Sequence, residues 1–303
     1  MAIKIARHSV AALALMVASL AGWPPSPAEA AGAWTLTWSD EFNGAAGTGV
    51  STTNWIYDVG TGYGCAGCPD KWGTGEIETM SSSTANVYQD GIGNLNIKPI
   101  RSGTAGRYTW TSGRIETTRT DFQPAAGGSM AMEARIQLPN VTGTGAQGYW
   151  PAFWALGAPY RGVYTNWPSV GEIDVMENIN GKNSWWGALH CGVNPGGPCN
   201  ETTGLTSGEV TGWNPSLQSA FHVYRMEFDK STVSEEIRWY VDGVQKHVVR
   251  AYQVDATTWA NATNHGFFIL LNVAMGGGWP GSPTAKTVSD KPLIVDYVRV
   301  YNR

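Results

Sequence analysis

Three carboxylates fall within six residues in Gly171-Glu172-Ile173-Asp174-Val175-Met176-Glu177-Asn178. The apolar and β-branched residues between them predict a strand rather than a helix. Residues two apart in a strand share a face, so Glu172 and Asp174 point the same way. Glu177, five positions after Glu172, has the opposite parity. One bulged residue near Val175-Met176 corrects it and turns all three acids to one side. Like charges on one face repel, which costs stability. The same crowding can hold one carboxyl protonated near neutral pH while another stays ionised. A protonated acid beside a carboxylate nucleophile is the equipment for hydrolysing a glycosidic bond with retention of configuration.

Acids in strands are more often a solvated face or ion-pair partners, but the flanks speak against that here. Pro151-Ala152-Phe153-Trp154-Ala155-Leu156-Gly157 precedes the trio, Trp167-Pro168 abuts it, and Trp185-Trp186 and His190 follow. No Lys or Arg lies between Glu172 and Glu177 to neutralise them.

With these flanks the stretch resembles the active-site strand of glycoside hydrolase family 16, in the bulged form found in laminarinase-like endo-β-1,3-glucanases. The opening Trp38-Ser39-Asp40-Glu41-Phe42 is also similar to the start of such domains. The resemblance covers essentially all of residues 31–303. It implies an all-β fold, a jelly-roll sandwich of the concanavalin A type with a long cleft on its concave face. It implies Glu172 as nucleophile, Glu177 as general acid/base, and Asp174 between them sharing a proton with Glu172. It places Trp167 beside the scissile bond and His190 near the acids. Trp150, Trp72 and Glu76 are further candidates for substrate contact, with Asn178 a weaker polar one, while Trp154 is expected in the core. A flat strand would separate Glu172 from Glu177 by roughly 13 Å, whereas retaining enzymes hold their carboxyls about 5–5.5 Å apart. The two side chains must therefore lean together.

The segment Trp72-Gly73-Thr74-Gly75-Glu76-Ile77-Glu78 departs from the family pattern, which usually has Asn at the place of Thr74 and Gln at the place of Glu78. Both are side chains that hydrogen-bond sugar hydroxyls. The expected substrate is a β-1,3-glucan, with β-1,3-galactan or mixed-linkage glucan as alternatives that this departure keeps open. A lectin-like binding module on the same fold needs the tryptophans but not three crowded acids. No cofactor is required by this chemistry. The resemblance does suggest a structural calcium held by Glu41, Gly91 (through its carbonyl) and Asp296, and oxygen ligands suit that ion.

Composition bounds the rest. Net charge is −4, so there is no basic footprint for nucleic acid. Charged residues are 15% while Gly (38) and Trp (15) are abundant, which suits short strands, tight turns and an aromatic groove. Residues 1–30 read as a secretory signal. Lys4 and Arg7 precede an apolar Val10–Leu20 too short to span a bilayer, and Ala28-Glu29-Ala30 fits a cleavage site. No other apolar run approaches membrane length. A secreted monomer acting on a polysaccharide is the expectation. Export favours disulfides, and the four cysteines are read as local staples, Cys65–Cys68 and Cys191–Cys199. A zinc site from four thiolates is the rival, but only the first pair has C-x-x-C spacing.

Alternating and apolar runs predict further strands at 34–42, 108–118, 130–138, 187–190, 221–228, 237–244, 266–274 and 293–301. A hairpin is expected around Gly91–Asn94, a tight turn at Asp242-Gly243 and a short helix within 252–260. No repeat or Pro/Thr-rich linker appears.

Overall fold

The apolar stretch Phe267–Met275 is a strand buried at every residue, as its lack of alternation predicts. It lies in the middle of an eight-stranded antiparallel sheet, between Tyr149–Gly157 and Arg114–Thr117. Beyond Tyr149–Gly157 come the acid strand Glu172–Glu177, then Ser184–His190, then the short Leu205–Thr206; Val210–Thr211 also pairs with Ser184–His190. Trp55–Tyr57 closes the other edge. The computed structural model describes residues 32–104 and 106–303. The signal-like segment 1–30 lies outside the described residues.

A second eight-stranded antiparallel sheet packs against the first. Its path runs Val244–Arg250, Glu236–Val241, His222–Asp229, Ser129–Gln137, Leu293–Asn302, Leu95–Ile97 and Val87–Gln89, with Thr35–Asp40 alongside Leu293–Asn302. The two sheets form a β-sandwich. Alternation decides what each face does. Phe153, Ala155, Ile173, Val175, Leu189, Ile269, Leu271 and Val273 of the first sheet point inward onto Met130, Met132, Ala134, Ile136, Met226, Phe228, Val298 and Val300 of the second, all essentially inaccessible. The intervening residues of the first sheet, Trp150, Ala152, Trp154, Glu172, Asp174, Asn272 and Ala274, line a cleft on its outer face.

The expected hairpin forms between Val87–Gln89 and Leu95–Ile97, its turn held by the Asp90 carboxylate accepting from Ile92 N–H and Asn94 N–H. Asp242 and Gly243 both take positive φ (51° and 74°), the geometry of a two-residue hairpin turn. The run 108–118 is not one strand. It breaks at Gly113 into Arg107–Ser112, in a separate three-stranded sheet, and Arg114–Thr117 in the cleft sheet. The break needs glycine, because a Cβ there would sit 2.2 Å from Val87 Cγ2. The helix also starts later than expected. A 3₁₀ turn fills Ala251–Gln253, and the α-helix Ala256–Thr263 follows Asp255, whose side chain accepts from Thr257 N–H and Thr258 N–H. Both expected disulfides are present, with Cα–Cα distances of 5.3 Å for Cys65–Cys68 and 5.5 Å for Cys191–Cys199. Among the described residues no helix is long and apolar enough to cross a membrane.

Candidate active site

The parity problem of the acid strand is solved by the expected bulge. Against Tyr149–Gly157, Met176 pairs with Phe153 and Asp174 with Trp154, so Val175 is the extra residue. Against Ser184–His190 the register jumps over the same two residues, with Asp174 opposite Ala188 and Glu177 opposite Trp186. Val175 and Met176 both enter the core. Two buried indoles hold the backbone there. Trp185 Nε1 donates to the Val175 carbonyl at 3.0 Å, and Trp239 Nε1, from the opposite sheet, donates to the Asp174 carbonyl at 2.8 Å. Glu172, Asp174 and Glu177 consequently line one cleft.

Each outer acid carries its own indole donor. Trp167 Nε1 donates to Glu172 at 3.1 Å and Trp150 Nε1 to Glu177 at 2.9 Å. Asp174 is buried (3% exposed) and its Oδ2 has no aligned hydrogen bond, though His190 Nε2 stands 3.1 Å away as an ionic neighbour. The same nitrogen is 4.0 Å from Glu172. The other face of the imidazole, Nδ1, is 2.7 Å from Glu201, whose second oxygen accepts from Cys191 N–H at 2.9 Å.

This crowding moves the protons. Burial, then the charge on Asp174, pushes the Glu172 carboxyl up, partly offset by His190 and Arg114. Burial and Asp174 also push Glu177 well above the carboxylate range, with Trp150 and His190 working the other way. Burial opposes charge on His190, but its contacts with Asp174 and Glu201 hold the imidazole protonated well above its usual range. Glu172 and Glu177, both buried beside Asp174, are not expected to be ionised together. Glu172, with an indole N–H, the nearby imidazolium and Arg114, is better placed to keep a charge than Glu177, whose bonded donor is Trp150 alone.

The sequence-predicted residues sort clearly. Trp150, Trp167, Trp72 and Glu76 line the cleft, and so does His190 on its far side. Trp154 also lines it, half-buried with Nε1 on Asn272, and is not in the core as expected, because its parity on the strand points outward. Asn178 is no substrate contact. It is 1% exposed and its amide donates to the carbonyls of Lys182 and Ser184, bracing the turn after the acid strand. In the 72–78 segment, Thr74 Oγ1 donates to Glu76 at 2.6 Å, and Glu78 lies underneath, 1% exposed, accepting from Met275 N–H. Glu78 is therefore a buried prop rather than a sugar ligand.

The sequence did not single out Arg114, Glu201, Trp186 or Trp279 for the site. Arg114 is buried at the base of the cleft, bonded to Asp58 and Tyr63 and stacked near Trp72 and Trp154. Trp279, in the glycine-rich loop after Phe267–Met275, packs edge-on against Trp150 and Trp186.

Glu172, Asp174 and His190 form the one cluster of three potential ligands within 4.8 Å among the described residues. An imidazolium flanked by carboxylates has no lone pair to offer a metal. The expected calcium ligands do not fit the ion through their side chains. Both oxygens of Glu41 accept from Arg299, and Asp296 pairs with Arg135 at 2.6 Å. Gly91 sits in the Asp90–Asn94 turn at φ 82°.

A β-sandwich with a carboxylate-lined cleft and aromatic walls defines a carbohydrate-active domain. The profile of XgeA-like catalytic GH16 domains matches residues 136–220. The crystal structure of an endo-1,3-beta-glucanase from Streptomyces sioyaensis superposes with a TM-score of 0.85 at 54% identity, covering 93% of this chain and 99% of that one. A beta-glucanase of Rhodothermus marinus is 31% identical over 88% of this chain and 85% of its own length. The glucan endo-1,3-beta-glucosidase A1 of Niallia circulans is 34% identical over 92% of this chain, which spans 39% of that longer protein. The chain belongs to glycoside hydrolase family 16.

Proposed function

We propose that this domain hydrolyses internal β-1,3-glucosidic bonds of β-glucans with retention of anomeric configuration. The observation that carries the reading is the bulged strand, which brings Glu172, Asp174 and Glu177 to one cleft wall with a separate indole donor on each outer acid. Glu172 attacks the anomeric carbon while Glu177 gives its proton to the departing glycosidic oxygen. The sugar is then held as an ester on Glu172. Glu177, now a carboxylate, takes a proton from water, the water attacks the anomeric carbon, and Glu172 leaves unchanged. Asp174 and His190 set the charge on the nucleophile through both steps. The β-1,3 preference rests on the likeness to the 1,3-glucanases; Glu78 is buried and does not bear on it, while Thr74 faces the cleft with its hydroxyl donating to Glu76.

The test is product analysis on laminarin, lichenan and β-1,3-galactan, with NMR of the first anomer released. The expected result is laminarin cleaved to oligosaccharides whose initial anomer is β, and a loss of roughly a thousandfold or more in kcat for Glu172→Ala. Inverted product, or near-full turnover by that variant, overturns the assignment. We further propose that the protein is exported, on the signal-like residues 1–30 and the two disulfides. N-terminal sequencing of the extracellular form is expected to begin near Ala31, and an intact Met1 in the mature protein contradicts it.

A further inference from the structure

The loop closed by Cys191–Cys199 returns to the site through Glu201, and no sugar contact explains that residue. Its side chain is inaccessible, bridging the Cys191 N–H and His190 Nδ1. A bridge between Gly196 and Glu201 fixes the loop's end, and a Cβ at Gly204 would come within 3.0 Å of the imidazole ring, so glycine is needed there. Carboxylate oxygens face both ring nitrogens, Glu201 at 2.7 Å and Asp174 at 3.1 Å. A neutral imidazole would turn one lone pair toward a carboxylate, acceptor against acceptor. Two facing carboxylates thus favour an N–H on each nitrogen, the Glu201 bond aligned and the Asp174 contact ionic, and with it the cation.

We infer that Glu201 is a positioning residue that acts through His190 to keep the nucleophile Glu172 ionised, an inference that rests on the retaining mechanism proposed above. The groups facing His190 are Glu172 and Asp174 from the acid strand, Glu201 from the stapled loop, and the Trp167 ring 5.7 Å away. Glu172 in turn feels Asp174, Glu177, Arg114 and Tyr160, and Glu201 itself, whose charge acting directly on Glu172 opposes ionisation, so the effect through the closer imidazolium must outweigh it. With Glu201 in place, the imidazolium lies 4.0 Å from Glu172 and favours its charged form. Replacing Glu201 by Gln keeps the size and the acceptor for Cys191 N–H but lets an amide N–H donate to Nδ1, so the ring can be neutral. Glu172 then holds its proton to higher pH.

The sign and the site of the effect are both testable. In Glu201→Gln the acid-side limb of kcat/KM is expected to move up by about one pH unit, a tenfold loss on that limb, while KM at the optimum stays within about twofold. The His190 ring, followed by nitrogen-proton NMR of the folded protein, is expected to titrate at lower pH than in the parent. His190→Gln is expected to move the same limb the same way, and adding Glu201→Gln to it is expected to move it no further. An unmoved acid limb and an unmoved His190 titration overturn the inference, as does a pH-independent fall in kcat or a second shift in the double variant. Glu172→Ala separates this failure from failure of the mechanism: if it is inactive while Glu201→Gln leaves the limb in place, only the role of Glu201 falls.

Discussion

At the scale of single residues, Glu78 is the position where sequence and structure diverge most usefully. Glu76 and Glu78 each carry a buried carboxylate oxygen with no hydrogen-bond partner, and a proton on Glu78 would let the two share one bond. Burial, then the charge of Glu76, raises the Glu78 carboxyl well above its ordinary range. A neutral acid can donate to Glu76 and accept from Met275 N–H, the same two bonds that a Gln amide would make. The carboxyl thus imitates the amide usual in the family. The stability consequence follows from linkage. The folded pKa is raised, so from about pH 4.3 up to that raised value the native state holds a proton that the unfolded chain has lost. Stability from this group is complete below the window and declines as pH rises through it. Glu78→Gln removes the proton from the balance, so Tm is expected to be unchanged near pH 4 and to rise at pH 7–8. The gain is about 2–4 °C for each 1 kcal/mol recovered. Scanning calorimetry at the two pH values checks it, and an equal shift at both contradicts the shared proton.

At the scale of elements, the acid strand works because its backbone departs from regularity and is held there from behind. Trp239 reaches across the core from Glu236–Val241 to the Asp174 carbonyl. Trp239→Phe keeps most of the apolar volume and deletes the N–H, an expected loss of about 1–3 kcal/mol if the carbonyl finds no other donor. Urea denaturation reads that loss. A fall in kcat larger than the rise in KM is expected alongside it, because the acids, not the sugar platforms, ride on this backbone. Gly113→Ala is expected to cost about 1–3 kcal/mol by overpacking onto Val87 and Ile97, with KM little changed, which the same denaturation series measures. The bulge was legible in the sequence because three acids at offsets of two and three demand a change of parity. The break at Gly113 was not, since aromatic and β-branched residues continue on both sides of it and only Val87 and Ile97, distant in the chain, forbid a Cβ. Trp154 was misplaced for the opposite reason: an aromatic amid apolar neighbours reads as core until the pairing partner fixes which parity faces outward. The two local disulfides and the sandwich class were legible from spacing and composition with the family resemblance. Glu201 carried no local signal at all, because what makes it matter is the fold-back of a loop onto His190.

At the scale of the whole molecule, the acids divide the cleft into two unlike halves. Leu156 lies opposite Glu172 on the neighbouring strand, and Trp72 and Tyr160 line the same part of the cleft. On the Glu177 side the walls are Trp150, Trp186 and Trp279. On the proposed mechanism the acid that protonates the departing oxygen must face the leaving sugars, so the Trp186–Trp279 half is expected to receive the leaving-group chain and the Trp72 half the sugar held as the ester. The two halves are tied together. Gly278 N–H donates to the Thr74 carbonyl at 2.9 Å, and Gly276 bridges to Glu76. Trp279 is 41% exposed and stands nearly perpendicular (83°) to Trp186, so one apolar face is left for a pyranose ring. Trp279→Ala is expected to raise KM for long β-1,3-oligosaccharides by about tenfold, equal to 1.4 kcal/mol. Hydrolysis of an aryl glycoside, which has no sugar on the leaving side, is expected to change less than twofold. Trp72→Ala, on the other half, is expected to weaken both substrates alike. Steady-state kinetics on the two substrates decides the matter, and equal losses for Trp279→Ala on both would reverse the direction in which the chain is read along the cleft.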